Sequence, residues 1–363
     1  MKRFPLRPRI ALVTSGTGTN HGGIGVVAGL IVSALEGHSR LTVWEHHAFW
    51  PRFARIPAAV GRSFLGSLKT PDFVLYDHVD LAILHAVIPR LRSAPYAVFL
   101  HGIEVWKPLV GRRREALIGA NLLLVNSATT EAEARIFNPW LPQVTVTWLG
   151  VDRQNEIADV RAAAPMGLIV GRMADSERLK GHDAVMDAWP LIKSIIPDAK
   201  LMIVGGGNDK GRLQKRVKTE RLPGIEFCGR IDDTQRNQMY RSCRLLFYPS
   251  KQEGFGLAGV EAASFGVPLL GLAGTVIEEL FPTGTGAVIA KDLSRESIAE
   301  VAIPVLRSSQ HASELGRAAL ARVNAVFLKE HFAERFRQAL APLLCFGAAA
   351  TNAQSTDLEK RTA

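Results

Sequence analysis

Residues 249–261 read PSKQEGFGLAGVE, a glycine-rich stretch with two glutamates. A strand-like apolar run, Leu245–Tyr248, precedes it, and a helix-like run, Leu257–Phe265, overlaps its end. A strand, a glycine turn and a helix start in this order present free backbone N–H groups and a positive helix end to an anion. Glu253 would lie beside that anion, and Glu261 about one turn inside the helix. The stretch therefore predicts a phosphate site flanked by carboxylates, which suits a ligand that is part diphosphate and part polyol, such as a nucleotide-sugar.

The length of 363 residues leaves room for two domains, each with its own core. Hydrophobic residues make up 47% of the chain, but no uncharged apolar run reaches the ~20 residues that span a bilayer. We expect no secretory signal, because the basic start Met1–Pro8 is followed by a strand-like run, Ile10–Val13. The three cysteines are too few and too scattered for a disulfide scaffold or a metal knuckle, which predicts a reducing compartment.

The chain is basic, with 44 Lys and Arg against 34 Asp and Glu and a formal net charge of +10. This excess favours an anionic partner: nucleotide phosphate, an anionic lipid headgroup or nucleic acid. Charge alone does not choose among the three.

Short apolar strands alternate with helical segments along the whole chain, which predicts an α/β protein with parallel sheets. Six strands in each half predict two Rossmann-like, doubly wound domains that face each other across a cleft, where ligands of such sheets bind. The predicted strands are Ile10–Val13, Leu41–Trp44, Phe73–Tyr76, Tyr96–Leu100, Leu122–Asn126, Val144–Trp148, Leu168–Gly171, Lys200–Val204, Ile225–Phe227, Leu245–Tyr248, Val267–Gly271 and Ala287–Ile289.

The domain boundaries follow from this count and from composition. We expect an acceptor-side domain over residues 1–152 and a donor domain over residues 153–330, with a polar, alanine-rich hinge at 150–165. A helix within 331–346 would cross back to the first domain. The low-complexity tail 347–363 is predicted to be disordered.

Two cations strengthen the prediction of a diphosphate site. Arg172 ends a predicted strand, and Lys180 begins a predicted helix as part of the run Lys180–Asp183. Cations at a strand's carboxyl end can neutralise a diphosphate and stabilise the charge that grows as it leaves. The glycine run Gly205–Gly207 after another strand suits either close approach to a ligand or a plain tight turn.

Together these motifs resemble the retaining glycosyltransferases of family 4, which have the GT-B fold and an E-x7-E motif. The resemblance covers about residues 10–345. The matching elements are Gly22–Gly25, His101-Gly102, Asn126-Ser127 with Thr130, Gly150–Asp152, Gly171-Arg172, Lys180–Asp183, Gly205–Gly207, Phe227–Arg230, and Glu253 with Glu261.

The resemblance implies a role for each residue. Arg172 and Lys180 would hold the donor diphosphate. Glu253 would contact the transferring sugar, and His101 would face that sugar near the reacting carbon. Glu261 would bind the ribose hydroxyls.

A wider donor-binding set follows from the same resemblance. The first helix would approach the phosphates and acceptor through its glycines, and residues 229–233 would lie against the base, mostly through backbone. The donor-binding residues would be Gly23, Gly25, Gly205, Gly206, Arg230, Gly254, Phe255, Gly256, Leu257 and Glu261.

The resemblance also implies a mechanism. The leaving diphosphate, held by Arg172 and Lys180, can accept the acceptor's proton on the same face, so a retaining transfer needs no strong base. The chain has no Asp-x-Asp sequence, so we expect no cofactor and no metal. The chain departs from the family in a longer Arg-to-Lys spacing, around Met173–Leu179, and in Gly274-Thr275 where many relatives have paired glycines.

Other interpretations stay open. A nucleotide-sugar epimerase of the same fold would turn over donor alone. An NAD-dependent enzyme would use Gly23-x-Gly25-x-x-Ala28 as its fingerprint with Glu45, but the long loop before these glycines disfavours it. A nucleic-acid-binding module has no need of the two glutamates. His101 could instead be a core histidine, and Ser127 with Thr130 could either cap a helix or contact the donor side.

Two basic segments of the predicted acceptor domain bear on partners. Residues 50–69 carry apolar residues at helical spacing interleaved with cations, and residues 112–114 are three consecutive arginines. Each is either a solvated basic face or a contact with an anionic membrane surface. We expect a cytoplasmic protein. If the basic segments contact a membrane, the protein would be peripheral at the inner face of the cytoplasmic membrane. Its acceptor would be lipid-linked or saccharide, as in bacterial polysaccharide or lipopolysaccharide biosynthesis, and nucleic acid would not be a partner.

Overall fold

A computed structural model describes residues 7–18, 22–45, 70–154 and 164–344. The basic segment 50–69, most of the hinge 150–165 and the tail 347–363 lie outside the described residues. The predictions made for those three segments therefore stay predictions.

Two six-stranded sheets form the framework, with strand orders β2-β1-β3-β4-β5-β6 and β12-β11-β10-β7-β8-β9. The residue pairing of β1 with β2 and β3, of β3 with β4, and of all neighbours in the second sheet is parallel. The strands are β1 Arg9–Thr14, β2 Arg40–Glu45, β3 Phe73–Tyr76, β4 Tyr96–Leu100, β5 Leu122–Val125, β6 Val144–Val146, β7 Met166–Val170, β8 Lys200–Val204, β9 Ile225–Gly229, β10 Leu245–Phe247, β11 Leu269–Leu272 and β12 Ala287–Ala290.

The twelve predicted strands are confirmed, with ends that differ by at most two residues. Strands β3 and β4 are buried along their whole length, as expected of parallel strands covered on both faces. The fold class predicted from the alternation of strands and helices is therefore correct.

Helices connect the strands, and a 3-10 segment, Asp175–Lys180, follows β7. The helices are α1 Gly22–Leu35, α2 Val79–Ala82, α3 Leu84–Val87, α4 Arg112–Ile118, α5 Ala128–Phe137, α6 His182–Ile195, α7 Lys210–Thr219, α8 Asp233–Ser242, α9 Leu257–Ser264, α10 Val276–Leu280, α11 Arg295–Arg307, α12 Ser309–Val326 and α13 Lys329–Leu340. The last of these begins two residues before the predicted segment 331–346 and ends six residues before the end of that segment.

Residue contacts divide the chain into two units that differ from the predicted domains. The first unit takes the described residues up to Phe99, Val110–Leu124 and those from Ala333 onward. The second takes Leu100–Leu109 and Val125–Phe332. Residues 125–152, which the sequence assigned to the first domain, thus group with the second unit.

The order of the second sheet determines where its functional loops meet. From β7 the chain builds outward through β8 and β9, and then returns to build β10, β11 and β12 on the other side. The strand order reverses between β7 and β10, and ligands of doubly wound sheets bind at such a reversal. The loops that follow β7 and β10 carry Arg172 and Glu253, respectively.

Candidate functional site

A chain of ion pairs joins the predicted diphosphate residues. Arg172 Nη2 pairs with Glu177 Oε1, and Lys180 Nζ lies 3.3 Å from Glu177 Oε2 and 3.6 Å from Glu253 Oε2. The Arg172 side chain is 64% exposed and that of Lys180 is 23% exposed, so both can reach a ligand. The structure therefore brings together the two residues predicted to hold the diphosphate, Arg172 and Lys180, with Glu253, which was predicted to contact the transferring sugar.

Glu177 is the member of this cluster that sequence reasoning missed. It lies in the 3-10 segment, where its own backbone departs from helical geometry (φ −124°, ψ 29°). Its carboxylate neutralises both cations at once, so a diphosphate that binds Arg172 and Lys180 must compete with it. An acid three residues before Lys180, inside the unusually long Arg-to-Lys loop, was the signal that could have identified it.

The turn after Glu253 has the predicted geometry of an anion site. Gly256 adopts a left-handed conformation (φ +81°) and begins α9, whose first turn receives no side-chain cap. Leu257 and Glu261 lie on this helix, and Glu261 is one turn inside it as expected. Phe255 is 2% exposed and packs edge-on against Phe327, so its side chain belongs to the core and only its backbone is available to a donor.

Each glutamate of the E-x7-E pair has a tyrosine partner. The Tyr248 hydroxyl hydrogen-bonds to Glu253, and the Tyr240 hydroxyl donates to Glu261 Oε2 at 3.3 Å. Arg236 Nε lies 3.5 Å from the same Glu261 oxygen. Burial raises the pKa of both tyrosines well above the ordinary value, so they act as neutral donors. Burial also raises the pKa of Glu261, against the opposing effect of Arg236.

His182 lies beneath the cluster, and sequence reasoning gave it no role of its own. It is 4% exposed and lines a small pocket with Lys180, Ser250 and Glu253. Burial, reinforced by the Lys180 charge, lowers its pKa to about 4, so the ring is neutral near pH 7. A neutral imidazole at this place leaves the positive charge to Arg172 and Lys180.

His101 follows β4 and is partly exposed, which disfavours the core-histidine reading. Its turn lies directly against the Glu253 turn: a β-carbon on Gly254 would stand 1.8 Å from the His101 carbonyl oxygen. Asn126 Nδ2 donates to that same carbonyl at 2.9 Å. Ser127 Oγ accepts the Thr130 N–H at 3.0 Å, so the predicted helix cap is present.

The glycine run after β8 meets backbone and a side chain of its own unit. β-carbons on Gly205 and Gly207 would stand 1.8 and 1.9 Å from the carbonyl oxygens of Gly171 and Met173. A β-carbon on Gly206 would lie 3.1 Å from the side chain of Arg230. The glycine run therefore allows the loop after β8 to pack against the loop after β7, beside the predicted base site. This packing favours the interpretation of the run as a tight turn.

The first unit contains the remaining predicted residues. Gly23 and Gly25 lie in the first turn of α1, and Gly25 O accepts a hydrogen bond from Gly18 N at 3.0 Å. Glu45, the acid of the alternative dinucleotide fingerprint, accepts hydrogen bonds from Thr17 N at 3.3 Å and Thr17 Oγ1 at 2.9 Å.

Residues 154–322 match the family model of glycosyl transferases group 1. A GDP-mannose-dependent monoacylated alpha-(1-6)-phosphatidylinositol monomannoside mannosyltransferase of Corynebacterium glutamicum is 28% identical over 169 residues, 44% of this chain and 44% of the relative. A glycogen synthase of Mycobacterium tuberculosis is 31% identical over 176 residues, 47% of this chain and 40% of the relative. The chain thus spans less than half the length of these two curated relatives.

Solved structures resemble the whole chain more evenly. Sucrose-phosphate synthase from Thermosynechococcus elongatus superposes with a TM-score of 0.75 at 19% identity, covering 93% of this chain and 99% of that one. Anabaena HepE in complex with UDP and glucose gives 0.72 at 16% identity, covering 92% and 100%. The chain therefore has the GT-B fold. Within the described residues, no helix is long and apolar enough to cross a membrane.

The carboxyl group of Asp77 predicts that the stability of the fold depends on pH. It follows β3, is fully buried and accepts a hydrogen bond from Thr14 Oγ1. Burial raises its pKa to about 7, against the lowering effect of the Thr14 hydroxyl. Between the unfolded value near 4 and the folded value near 7, the native state holds a proton that the unfolded state has released. Stability should therefore fall by about 2–4 kcal/mol as the pH rises through this window.

The variant Asp77→Asn should not show this fall. The free energy of unfolding of the variant, relative to that of wild type, should therefore increase between pH 5 and pH 8, as measured by urea denaturation. Asp80→Asn is the matched control, because Asp80 is exposed and paired with Arg113. Parallel pH profiles of wild type and Asp77→Asn would refute the assignment.

Proposed function

We propose that this protein is a retaining glycosyltransferase that moves a hexose-type sugar from a nucleotide-diphosphate sugar to a lipid-linked or saccharide acceptor. The observation that carries the proposal is the cluster of Arg172, Lys180 and Glu253 at the strand reversal, beside the uncapped start of α9. The match of residues 154–322 to the family model of glycosyl transferases group 1 supports the same chemistry. The GDP-mannose-dependent relative and the HepE complex with UDP and glucose suit this class of donor.

In the proposed reaction, the bond from the anomeric carbon to the diphosphate oxygen breaks, and a bond from that carbon to the acceptor oxygen forms on the same face. The acceptor's proton passes to the leaving diphosphate. Arg172, Lys180 and the first-turn amides of α9 would stabilise the charge on that leaving group. Glu253 would hold the transferring sugar, Glu261 the ribose, and His101 the sugar near the reacting carbon.

We also propose that the reaction needs no metal, because side-chain cations and backbone amides supply the positive charge that the diphosphate requires. Excess chelator should then leave turnover unchanged. The rival epimerase would convert the donor without an acceptor, so a product assay that includes acceptor-free controls separates the two activities.

The first experiment offers the purified protein UDP-glucose, GDP-mannose and ADP-glucose, each with a bacterial lipid extract or free saccharides as acceptor, and measures acceptor-dependent release of the nucleoside diphosphate. Lys180→Ala should lower kcat by about 100- to 1,000-fold, because the leaving group loses a positioned cation. Glu253→Ala should lower kcat by a similar factor while the affinity for the nucleoside diphosphate is kept. Lys251→Ala is the control, since Lys251 is an exposed cation in the same loop.

Circular dichroism must show that each variant is folded. Unchanged turnover in Lys180→Ala or in Glu253→Ala would remove that residue from the mechanism.

Helix α4 supports the proposal of an acceptor at an anionic membrane surface. Arg112 and Arg114 are exposed, and Val110 and Ile118 beside them are 76% and 52% exposed. Arg113 pairs with Asp80. Cations next to exposed apolar side chains suit the boundary between lipid headgroups and acyl chains.

Wild type should co-sediment with phosphatidylglycerol vesicles at low salt. The double variant Arg112→Gln/Arg114→Gln should bind about 30-fold more weakly, since each cation near the surface contributes about 1 kcal/mol. Lys215→Gln/Lys218→Gln, which removes the same charge from exposed positions of α7, is the control. Failure of wild type to co-sediment would contradict the membrane proposal and leave the donor chemistry untouched.

A further inference from the structure

The carbonyl of Gly254 accepts two hydrogen bonds from residues far away in the chain. Ser127 Oγ donates to it at 2.6 Å and Thr130 Oγ1 at 3.0 Å. Both hydroxyl residues are completely buried. Gly254 directly follows Glu253, so these two bonds hold the peptide next to the carboxylate that the proposed function places on the transferring sugar.

The turn between β5 and α5, which contains Ser127, also holds the backbone of His101, the second residue predicted to contact the sugar. Asn126 directly precedes Ser127, and its Nδ2 donates to the His101 carbonyl at 2.9 Å. Gly254 itself lies against that carbonyl. Residues 126–130 therefore bind the backbone of both turns, although His101 and Glu253 are far apart in sequence.

The turn is fixed from its other side as well. Glu279 accepts hydrogen bonds from the N–H groups of Ala128 at 2.9 Å and Thr129 at 2.7 Å, and from the Thr129 hydroxyl at 2.7 Å. Trp148 Nε1 donates to the same carboxylate at 2.9 Å. The Glu279 carboxylate thus binds the N-terminus of α5, which is the end of a helix that attracts anions. This contact fixes the position of the helix start.

We propose that Ser127 and Thr130 are positioning residues, whose hydroxyls fix the Glu253 turn relative to the His101 turn. This inference rests on the proposed function. Capping α5 requires only that Ser127 Oγ accept the Thr130 N–H. The donation of both hydroxyls to Gly254 goes beyond capping, and it restrains a glycine, the residue whose backbone is otherwise freest to rotate.

A small displacement of a group near the reacting atoms has a large kinetic effect, since a shift of about 1 Å can lower a rate about 100-fold. Loss of both hydroxyls should therefore lower kcat more than it lowers the affinity for the donor. Arg172 and Lys180, which the proposed function places on the diphosphate, lie outside residues 126–130.

The test compares wild type with Ser127→Ala/Thr130→Val in two assays. Hydrogen–deuterium exchange of the amides at 253–257 should become faster in the variant. The kcat for nucleoside diphosphate release should fall about 10- to 100-fold, with a smaller fall in the affinity for UDP, GDP or ADP. Ser127→Thr and Thr130→Ser, which keep a hydroxyl, should restore most of the rate.

Ser294→Ala is the control for loss of a cap alone, because Ser294 Oγ caps α11 by accepting the Ser297 N–H. This variant should leave both exchange at 253–257 and kcat unchanged. If the double variant does not fold, Thr130→Val alone, which leaves the cap in place, decides the outcome.

Unchanged exchange at 253–257 in a folded variant would overturn the proposal, whatever the activity. Faster exchange with an unchanged kcat would overturn the positioning role. If wild type releases no nucleoside diphosphate from any of the three sugar nucleotides, the proposed function fails, and the catalytic part of this inference fails with it. The exchange measurement still decides whether the hydroxyls hold the turn.

Discussion

The carbonyl oxygen of His101 occupies the space that a β-carbon on residue 254 would need. Only glycine permits this approach, and through it the turn that carries Glu253 lies directly against the turn that carries His101. The two turns are far apart in the sequence, and direct backbone contact at Gly254, supported by Asn126, Ser127 and Thr130, holds them together.

Electrostatics complete the site that this contact arranges. Two cations, Arg172 and Lys180, share two carboxylates, Glu177 and Glu253, and neutral donors surround them. Tyr248 holds Glu253 by a hydrogen bond and carries no charge itself. The cluster is therefore nearly balanced in charge, and a diphosphate would gain its attraction by replacing Glu177 as the partner of the cations. The uncapped start of α9 adds donors that bring no charge of their own.

Much of this arrangement could be predicted from the sequence. The apolar runs located the strands because fully buried parallel strands contain few polar residues, as in β3 and β4. The glycine turn before Leu257 predicted both a helix start and an anion site, since a glycine at this position has no side chain that could occupy the amides of the first turn. The charges at Arg172, Lys180 and Glu253 then followed from their positions at strand and helix ends.

Other features could not be predicted, for physical reasons. The bridge by Glu177 depends on how a 3-10 segment bends, and a spacing does not report that bend. The hydroxyl protons of Ser127 and Thr130 point to a carbonyl more than 120 residues away, and their helix-cap pattern is the same whether or not that carbonyl is there. The run Gly205–Gly207 resembled a ligand-binding loop because glycine is needed wherever another group approaches the backbone closely. A bound phosphate and the carbonyl of Gly171 make the same demand.

Under the proposed function, the backbone contact at Gly254 determines the geometry of sugar transfer. The most direct measurement is the rate of nucleoside diphosphate release by Gly254→Ala, compared with Gly211→Ala, whose added β-carbon meets open space. We expect a folded Gly254→Ala protein that still binds nucleoside diphosphate but turns over at least about 100-fold more slowly, with Gly211→Ala unaffected. Wild-type turnover in Gly254→Ala would refute this role of the contact.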